Sequence, residues 1–195
     1  MRTFVLIATC YMIGSVPFSY IVAYVARGID IRVEGEGNVG GRNVFRLVGA
    51  RFGIAAGTLD ASKGLIACAL ATPLASSWIA LWMAGFAAVL GHNFPIFLKG
   101  RGGKGVSPAM GFLLGRFPLP LLSGALLIGL LFLLERKLRF CIGIGMASIP
   151  LIFMPLFKVS IYDIVATLLL VSSLGVKRII DEAYMKQVKQ KSGWK

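Results

Sequence analysis

The chain has 195 residues, 57% of them hydrophobic and 15% charged, with a mean hydropathy of +0.81. A soluble domain carries about 25% charged residues, so this balance excludes an ordinary soluble protein and points to an integral membrane one. The net charge of +13 then reads as cations beside membrane spans, which mark the cytoplasmic side and attract anionic headgroups and substrates; no nucleic-acid partner is expected.

A span needs about 20 apolar residues. Residues 3–26 meet that requirement and Arg27 ends them. The run is longer than the roughly 7–15 apolar residues of a signal peptide and further spans follow, so it reads as an uncleaved first span. Residues 28–51 are too polar for hydrocarbon, and Arg27, Arg32, Arg42, Arg46 and Arg51 fall in or beside them. Residues 52–72 are apolar except for Asp60 and Lys63, and Pro73 closes them. A third apolar run covers 76–98 and a basic loop follows at 99–104. From 105 to 134 the only charge is Arg116, beside Pro118 and Pro120. A charged cluster at 135–139 precedes the apolar run 140–176, which is too long for one span and divides near Lys158. Residues 177–195 form a basic amphipathic tail.

Splitting the 105–134 run at Pro118 places the clusters 27–51, 99–104, 135–139 and 177–195 on one face. Leaving it whole divides them between faces, against the positive-inside bias. The expected fold is therefore all-α: one polytopic membrane domain over 1–195 with seven transmembrane helices, the N-terminus outside and the C-terminus cytoplasmic. The fourth span, about 105–117, is too short to cross ~30 Å of hydrocarbon comfortably, so its start sits deep in the cytoplasmic half.

Two loops carry the candidate chemistry. Between 99 and 105 stand Lys99, Arg101 and Lys104 with Gly100, Gly102, Gly103 and Gly105. Glycines let backbone N–H groups approach a ligand and build anion-binding nests, and a helix starting near Val106 adds its positive end. The alternative is a basic membrane-edge loop and nothing more. No Walker-type run is present. The first loop combines Gly35, Gly37, Gly40 and Gly41 with the amides of Asn38 and Asn43. Arg42 and Arg46 lie one turn apart if the chain is helical from Gly41, and guanidinium forks suit phosphate. Glu34 and Glu36 oppose a phosphate pocket unless they hold those arginines in place.

Asp60 and Lys63 share a helix face, either as an internal ion pair or with Lys63 reaching a ligand. His92, the single histidine, reads as a structural hydrogen-bond donor or as a base. An H-x-x-x-x-D acyltransferase motif is excluded because position 97 is Phe97. No Gly-x-Ser-x-Gly elbow is present. With no evident protein nucleophile, catalysis by positioning and charge stabilisation is expected. Cys10, Cys68 and Cys141 lie in apolar segments without paired spacing, so no metal site and no cofactor are expected.

Gly14-Ser15, Gly35-x-Gly37-Asn38-Val39-Gly40-x-x-Asn43-Val44-x-Arg46, Leu59-Asp60-x-x-Lys63-Gly64, and Gly91-His92-x-x-Pro95 with Gly102-Gly103-Lys104-Gly105-Val106 occur in this order. Together they resemble the bacterial acyl-phosphate:glycerol-3-phosphate acyltransferase family (PlsY-type), up to about Gly115. The resemblance implies a multi-pass protein of the bacterial inner membrane with its active site on the cytoplasmic face. It implies acyl transfer from acyl phosphate to the 1-hydroxyl of glycerol 3-phosphate, among membrane lipids, in phospholipid biosynthesis. It makes Lys104, Arg46 and His92 the catalytic candidates, and Asn38, Gly40, Asn43, Lys63, Gly102, Gly103 and Gly105 the substrate-binding ones. Departures stand beside it. Glu36 replaces a family serine, Gly41-Arg42 replace Ala-Thr, and Cys141 or Ile142 stands where a serine is usual. Ser172-Ser173-Leu174-Gly175 stand in place of His-Arg-Glu-Asn. They leave open a relative with another acceptor or without activity. An organophosphate transporter is the reading from another class; it would place charges at the midplane, and here they collect on one face.

Overall fold

The computed structural model describes residues 1–135 and 138–193. Arg136 and Lys137, inside the expected charged cluster 135–139, lie outside the described residues, as do Trp194 and Lys195. Among the described residues the chain is helical with no strand.

The first apolar run forms two helices, α1 (Arg2–Ser15) and α2 (Phe18–Arg27). Pro17 lacks an N–H and pushes Val16 to an extended conformation (ψ 117°), which breaks the ladder. The carbonyls this frees at Gly14 and Val16 are both taken by Lys63 Nζ, at 3.2 and 2.7 Å. The first loop contains a short helix, α3 (Gly41–Leu47), and leads into α4 (Ala50–Leu74), with Pro73 in its last turn. Helix α5 (Trp78–Asn93) starts at Ser77, whose Oγ accepts the Ala80 N–H. A 3-10 turn (Ile96–Leu98) leads to the second glycine loop and α6 (Val106–Arg116). Helix α7 (Pro118–Glu135) begins on a proline, which suits a first helical position. Helix α8 (Leu138–Ser148) runs through a π-helical turn (Ile149–Phe153) into the short α9 (Met154–Leu156). Helix α10 (Ile161–Lys191) completes the chain.

The breaks expected at 116–120 and near 158 are both present. Segments Arg2–Arg27, Ala50–Leu74 and Trp78–Leu98 are long and apolar enough to cross a membrane, and Pro118–Leu134 and Phe140–Leu156 are shorter apolar helices. The basic tail continues α10 as far as Lys191, and the 31 residues of that helix extend about 46 Å at 1.5 Å each.

Helix α4 is central, packing on α6 and α3, and α1 packs on α5. The closest crossings use glycine, as membrane helix pairs do. A Cβ on Gly64 would collide with Pro108 O of α6, and one on Gly111 with Ala61 O of α4. Gly14 and Gly91 do the same for α1 and α5, against Ala88 O and Tyr11 O. The main apolar core lies among these helices and α10. A second, smaller core of Ala23, Ile31, Val39, Val44, Val48, Ala56 and Leu98 fixes the first loop against α2 and α4.

The far ends of α5, α6 and α10 are pinned by one carboxylate. Asp163 Oδ1 accepts from both Trp78 Nε1 and Trp82 Nε1 at 2.8 Å, and Arg116 Nη2 lies 3.8 Å from Oδ2. The Trp82 ring packs on Phe112 and Phe117.

Candidate active site

The first loop is built around Asn43, which is fully buried. Its Nδ2 donates to the carbonyls of Ile31, Glu34 and Asn38, each at 3.1 Å, and its Oδ1 accepts the Glu36 N–H at 3.0 Å. Both ends of this amide are spent inside the loop. Its neighbour Glu36 is 2% exposed, and its carboxylate accepts from Arg46 Nη1 at 2.6 Å, with Arg42 Nη2 at 3.7 Å. The acid thus gathers two arginines that share a face of α3. Arg46 remains 37% exposed, open to a further anion. At the loop's outer edge the Arg32 guanidinium beside Asp30 holds that carboxyl below its usual range.

The second loop is folded back onto α5. The Gly103 N–H donates to His92 O at 3.0 Å, and Gly100 N–H donates to Pro95 O at 2.9 Å. There is no space for side chains here: a Cβ on Gly102 would collide with His92 O, and one on Gly103 with both His92 Nε2 and Val39 O. Val39 belongs to the first loop, so the two glycine loops meet at Gly103. Gly105 caps α6 at φ +78°, a left-handed conformation that suits glycine, against Asn93, Val89 and Leu174. Lys104 is half-buried between these glycines. Arg101 is exposed, with its guanidinium 5.3 Å from the Tyr184 ring centre.

Beneath the loops lies a buried charged cluster. Lys63 and Asp60 are each 1% exposed and pair at 2.7 Å. Lys63 Nζ also lies 3.1 Å from His92 Nδ1, and Ser19 Oγ donates to Asp60 Oδ2. Asp60 and Lys63 do share a helix face and form an internal pair. A small cavity lined by Ser15, Val39, Asp60, Lys63 and His92 opens beside them.

The structure brings the expected site residues His92, Gly102, Gly103, Lys104 and Gly105 together, sets Lys63 beneath them against His92, and joins them at Val39 to the loop that carries Asn38, Gly40, Asn43 and Arg46. Ser19, whose only signal in the sequence is a hydroxyl within an apolar run, and the contacts of the tail were not legible there. Tyr184 of α10 donates from its hydroxyl to Arg32 O at 2.9 Å, and Val188 packs against Gly37. Lys177 of the same helix is buried, paired with Asp181 at 2.6 Å and placed over the Phe94 ring. The end of α10 therefore lies over both loops. Cations and backbone amides with a helix N-terminus can hold a phosphorylated substrate and stabilise charge on a leaving phosphate.

A family model described as Glycerol-3-phosphate acyltransferase matches residues 4–181. The chain is 39% identical over 180 residues to "Glycerol-3-phosphate acyltransferase 1" of Dehalococcoides mccartyi, covering 88% of this chain and 85% of the relative. It is 43% identical over 122 residues to the "Glycerol-3-phosphate acyltransferase" of Solidesulfovibrio magneticus, covering 62% and 61%. Two crystal structures of PlsY, described as an integral membrane glycerol 3-phosphate acyltransferase, share the fold. The glycerol 3-phosphate form matches with a TM-score of 0.84 and 28% identity, over 96% of this chain and 93% of that one. The lysophosphatidic acid form matches with a TM-score of 0.82 and 27% identity.

Proposed function

The chain belongs to the glycerol-3-phosphate acyltransferase family, and on that premise we propose that it transfers a fatty acyl group from acyl phosphate to the 1-hydroxyl of glycerol 3-phosphate. Lysophosphatidic acid and phosphate are the products. Seven helices cross the bacterial inner membrane, the N-terminus outside and the C-terminus in the cytoplasm, with the reaction on the cytoplasmic face.

Arg46, Lys104, the amides of Gly102, Gly103 and Gly105 and the start of α6 hold the donor phosphate. Asn38, Gly40 and Asn43 shape the pocket around it. The acyl chain runs between helices, which the short α6 permits by starting its helix near the hydrocarbon boundary. The acceptor hydroxyl attacks the acyl carbonyl; the new C–O bond forms as the bond to the phosphate oxygen breaks. Bound cations stabilise the charge that grows on the departing phosphate. The hydroxyl proton goes to a substrate phosphate oxygen.

The observation that carries this reading is the meeting of the two glycine loops at Val39 and Gly103, with cations on each loop. The departures near the C-terminal end bear on the acceptor, since Leu174 packs on Gly105 where the family has a more polar sequence. The test is to offer the purified protein palmitoyl phosphate with a panel of polyol phosphates and identify the products by mass spectrometry. Lysophosphatidic acid is expected. A product from another polyol phosphate alone reassigns the acceptor, and no acyl transfer to any of them overturns the proposal.

A further inference from the structure

His92 is the chain's only histidine, and its ring has two unlike sides. Lys63 Nζ lies 3.1 Å from Nδ1, with Asp60 Oδ1 at 3.6 Å. The Nε2 side faces the seam of the two loops, where a Cβ on Gly103 would meet both Nε2 and Val39 O. Lys63 Nζ is otherwise surrounded by acceptors: Asp60 Oδ1 at 2.7 Å, Val16 O at 2.7 Å and Gly14 O at 3.2 Å. An ammonium donates and never accepts. Toward it, Nδ1 must present a lone pair, because an Nδ1–H would point proton at proton. Asp60 is held in turn by Ser19 of α2, so α2, α4, α5 and the α1–α2 break are joined at this point. Lys63 and Asp60 are the charged groups facing the ring, and at the seam the two loops contribute backbone at Val39 and Gly103.

We propose that Ser19, Asp60 and Lys63 form a tautomer lock that turns the Nδ1 lone pair of His92 toward Lys63 and leaves the ring proton on Nε2. His92 is then a fixed hydrogen-bond donor at the seam of the two glycine loops, a positioning residue and not the acceptor of the alcohol proton. The proposal rests on the active-site reading above. It follows that Nε2, already protonated, is closed to the alcohol proton. Ser19, Asp60 and Lys63 act through His92 without touching the reacting atoms.

The single histidine makes the test direct. Full-length protein carrying 15N-labelled histidine in lipid nanodiscs yields one pair of ring-nitrogen signals. A protonated Nε2 and a bare Nδ1 at neutral pH are expected. A proton on Nδ1, or on both nitrogens, overturns the lock, and this measurement needs no variant to fold. A second arm compares His92→Gln, whose amide reaches the Nε2 position, with His92→Asn, whose amide reaches only Nδ1. The glutamine variant should keep kcat within about tenfold, and the asparagine variant should lose about a hundredfold with a raised KM for the donor. Equal activities, or a more active asparagine variant, overturn the positioning role. The expected tautomer in a wild-type protein without acyl transfer supports the lock and sinks the active-site reading; an active protein with Nδ1 protonated sinks the lock alone.

Discussion

Lys104 and Arg101 are three residues apart in the same basic loop, yet their surroundings differ. Arg101 is exposed and laid over the Tyr184 ring, outside the two glycines that fold back on His92. Lys104 is half-buried between Gly103 and Gly105, beside the start of α6. A hydrogen bond from its ammonium to a phosphate is worth about 1.5–3 kcal/mol, so Lys104→Ala should lose roughly 10- to 150-fold in kcat/KM at 1.36 kcal/mol per tenfold. The loss grows if charge builds on the leaving phosphate, because the contact then strengthens in the transition state. Lys104→Arg should rescue poorly: packed glycines leave room for a compact ammonium and not for a planar fork. Arg101→Ala should cost much less. Palmitoyl-phosphate-dependent activity of the three variants, at matched folded yield, checks the series. Near wild-type activity in Lys104→Ala with a large loss in Arg101→Ala would put the phosphate elsewhere. Glu36 answers the question its charge raised in the sequence: with 2% exposure and Arg46 at 2.6 Å, it positions cations more than it repels an anion.

Helices α5, α6 and α10 are tied at the end opposite the loops by Asp163 and two indoles. Asp163→Ala removes the shared acceptor and leaves the Trp82 N–H, in a residue 3% exposed, without a partner. An unsatisfied buried donor costs about 1–3 kcal/mol. The variant should melt lower and change its tryptophan emission, while activity per folded molecule stays close to wild type because the loops are at the other end. Unchanged melting would mean the indoles find other partners. Such ties explain which parts of the fold were legible. Helix positions followed from apolar runs and prolines, and the breaks at Phe117 and after Leu156 were visible in charge alone. The break at Val16-Pro17 was hidden because both sides of it are apolar. The continuity of α10 was hidden because its composition turns basic at Lys177, although backbone hydrogen bonding is indifferent to that change of surroundings. Residue pairs such as Ser19 with Asp60, or Tyr184 with Arg32, join segments far apart in the chain, and no local pattern announces them. The glycine loops were legible for the opposite reason: their close packing leaves no room for side chains, so the composition itself carries the signal.

Charge bears on the topology, and so do the contacts between distant segments. Tyr184 bonds to Arg32 O, Val188 packs on Gly37, and Arg101 lies on Tyr184. The first loop, the second loop and the end of α10 therefore occupy one end of the molecule, and groups in contact share a side of the membrane. Asp163 with Trp78 and Arg116 marks the other end, separated from the loops by helices such as α4, whose 25 residues span about 38 Å. In the topology proposed above the loop end faces the cytoplasm, in keeping with the positive-inside bias, since Arg32, Arg42, Arg46, Lys99, Arg101, Lys104 and the cations of α10 gather there. Single cysteines can be placed at Arg42, Arg101, Lys186 and Lys158 after Cys10, Cys68 and Cys141 are replaced by alanine. A membrane-impermeant thiol reagent should label the first three only from the cytoplasmic side and position 158 only from outside. Labelling of 101 and 186 from opposite sides would contradict the contact between the second loop and α10. Labelling of both from outside would keep the fold and invert the molecule, placing the glycine loops away from a cytoplasmic supply of phosphorylated substrates.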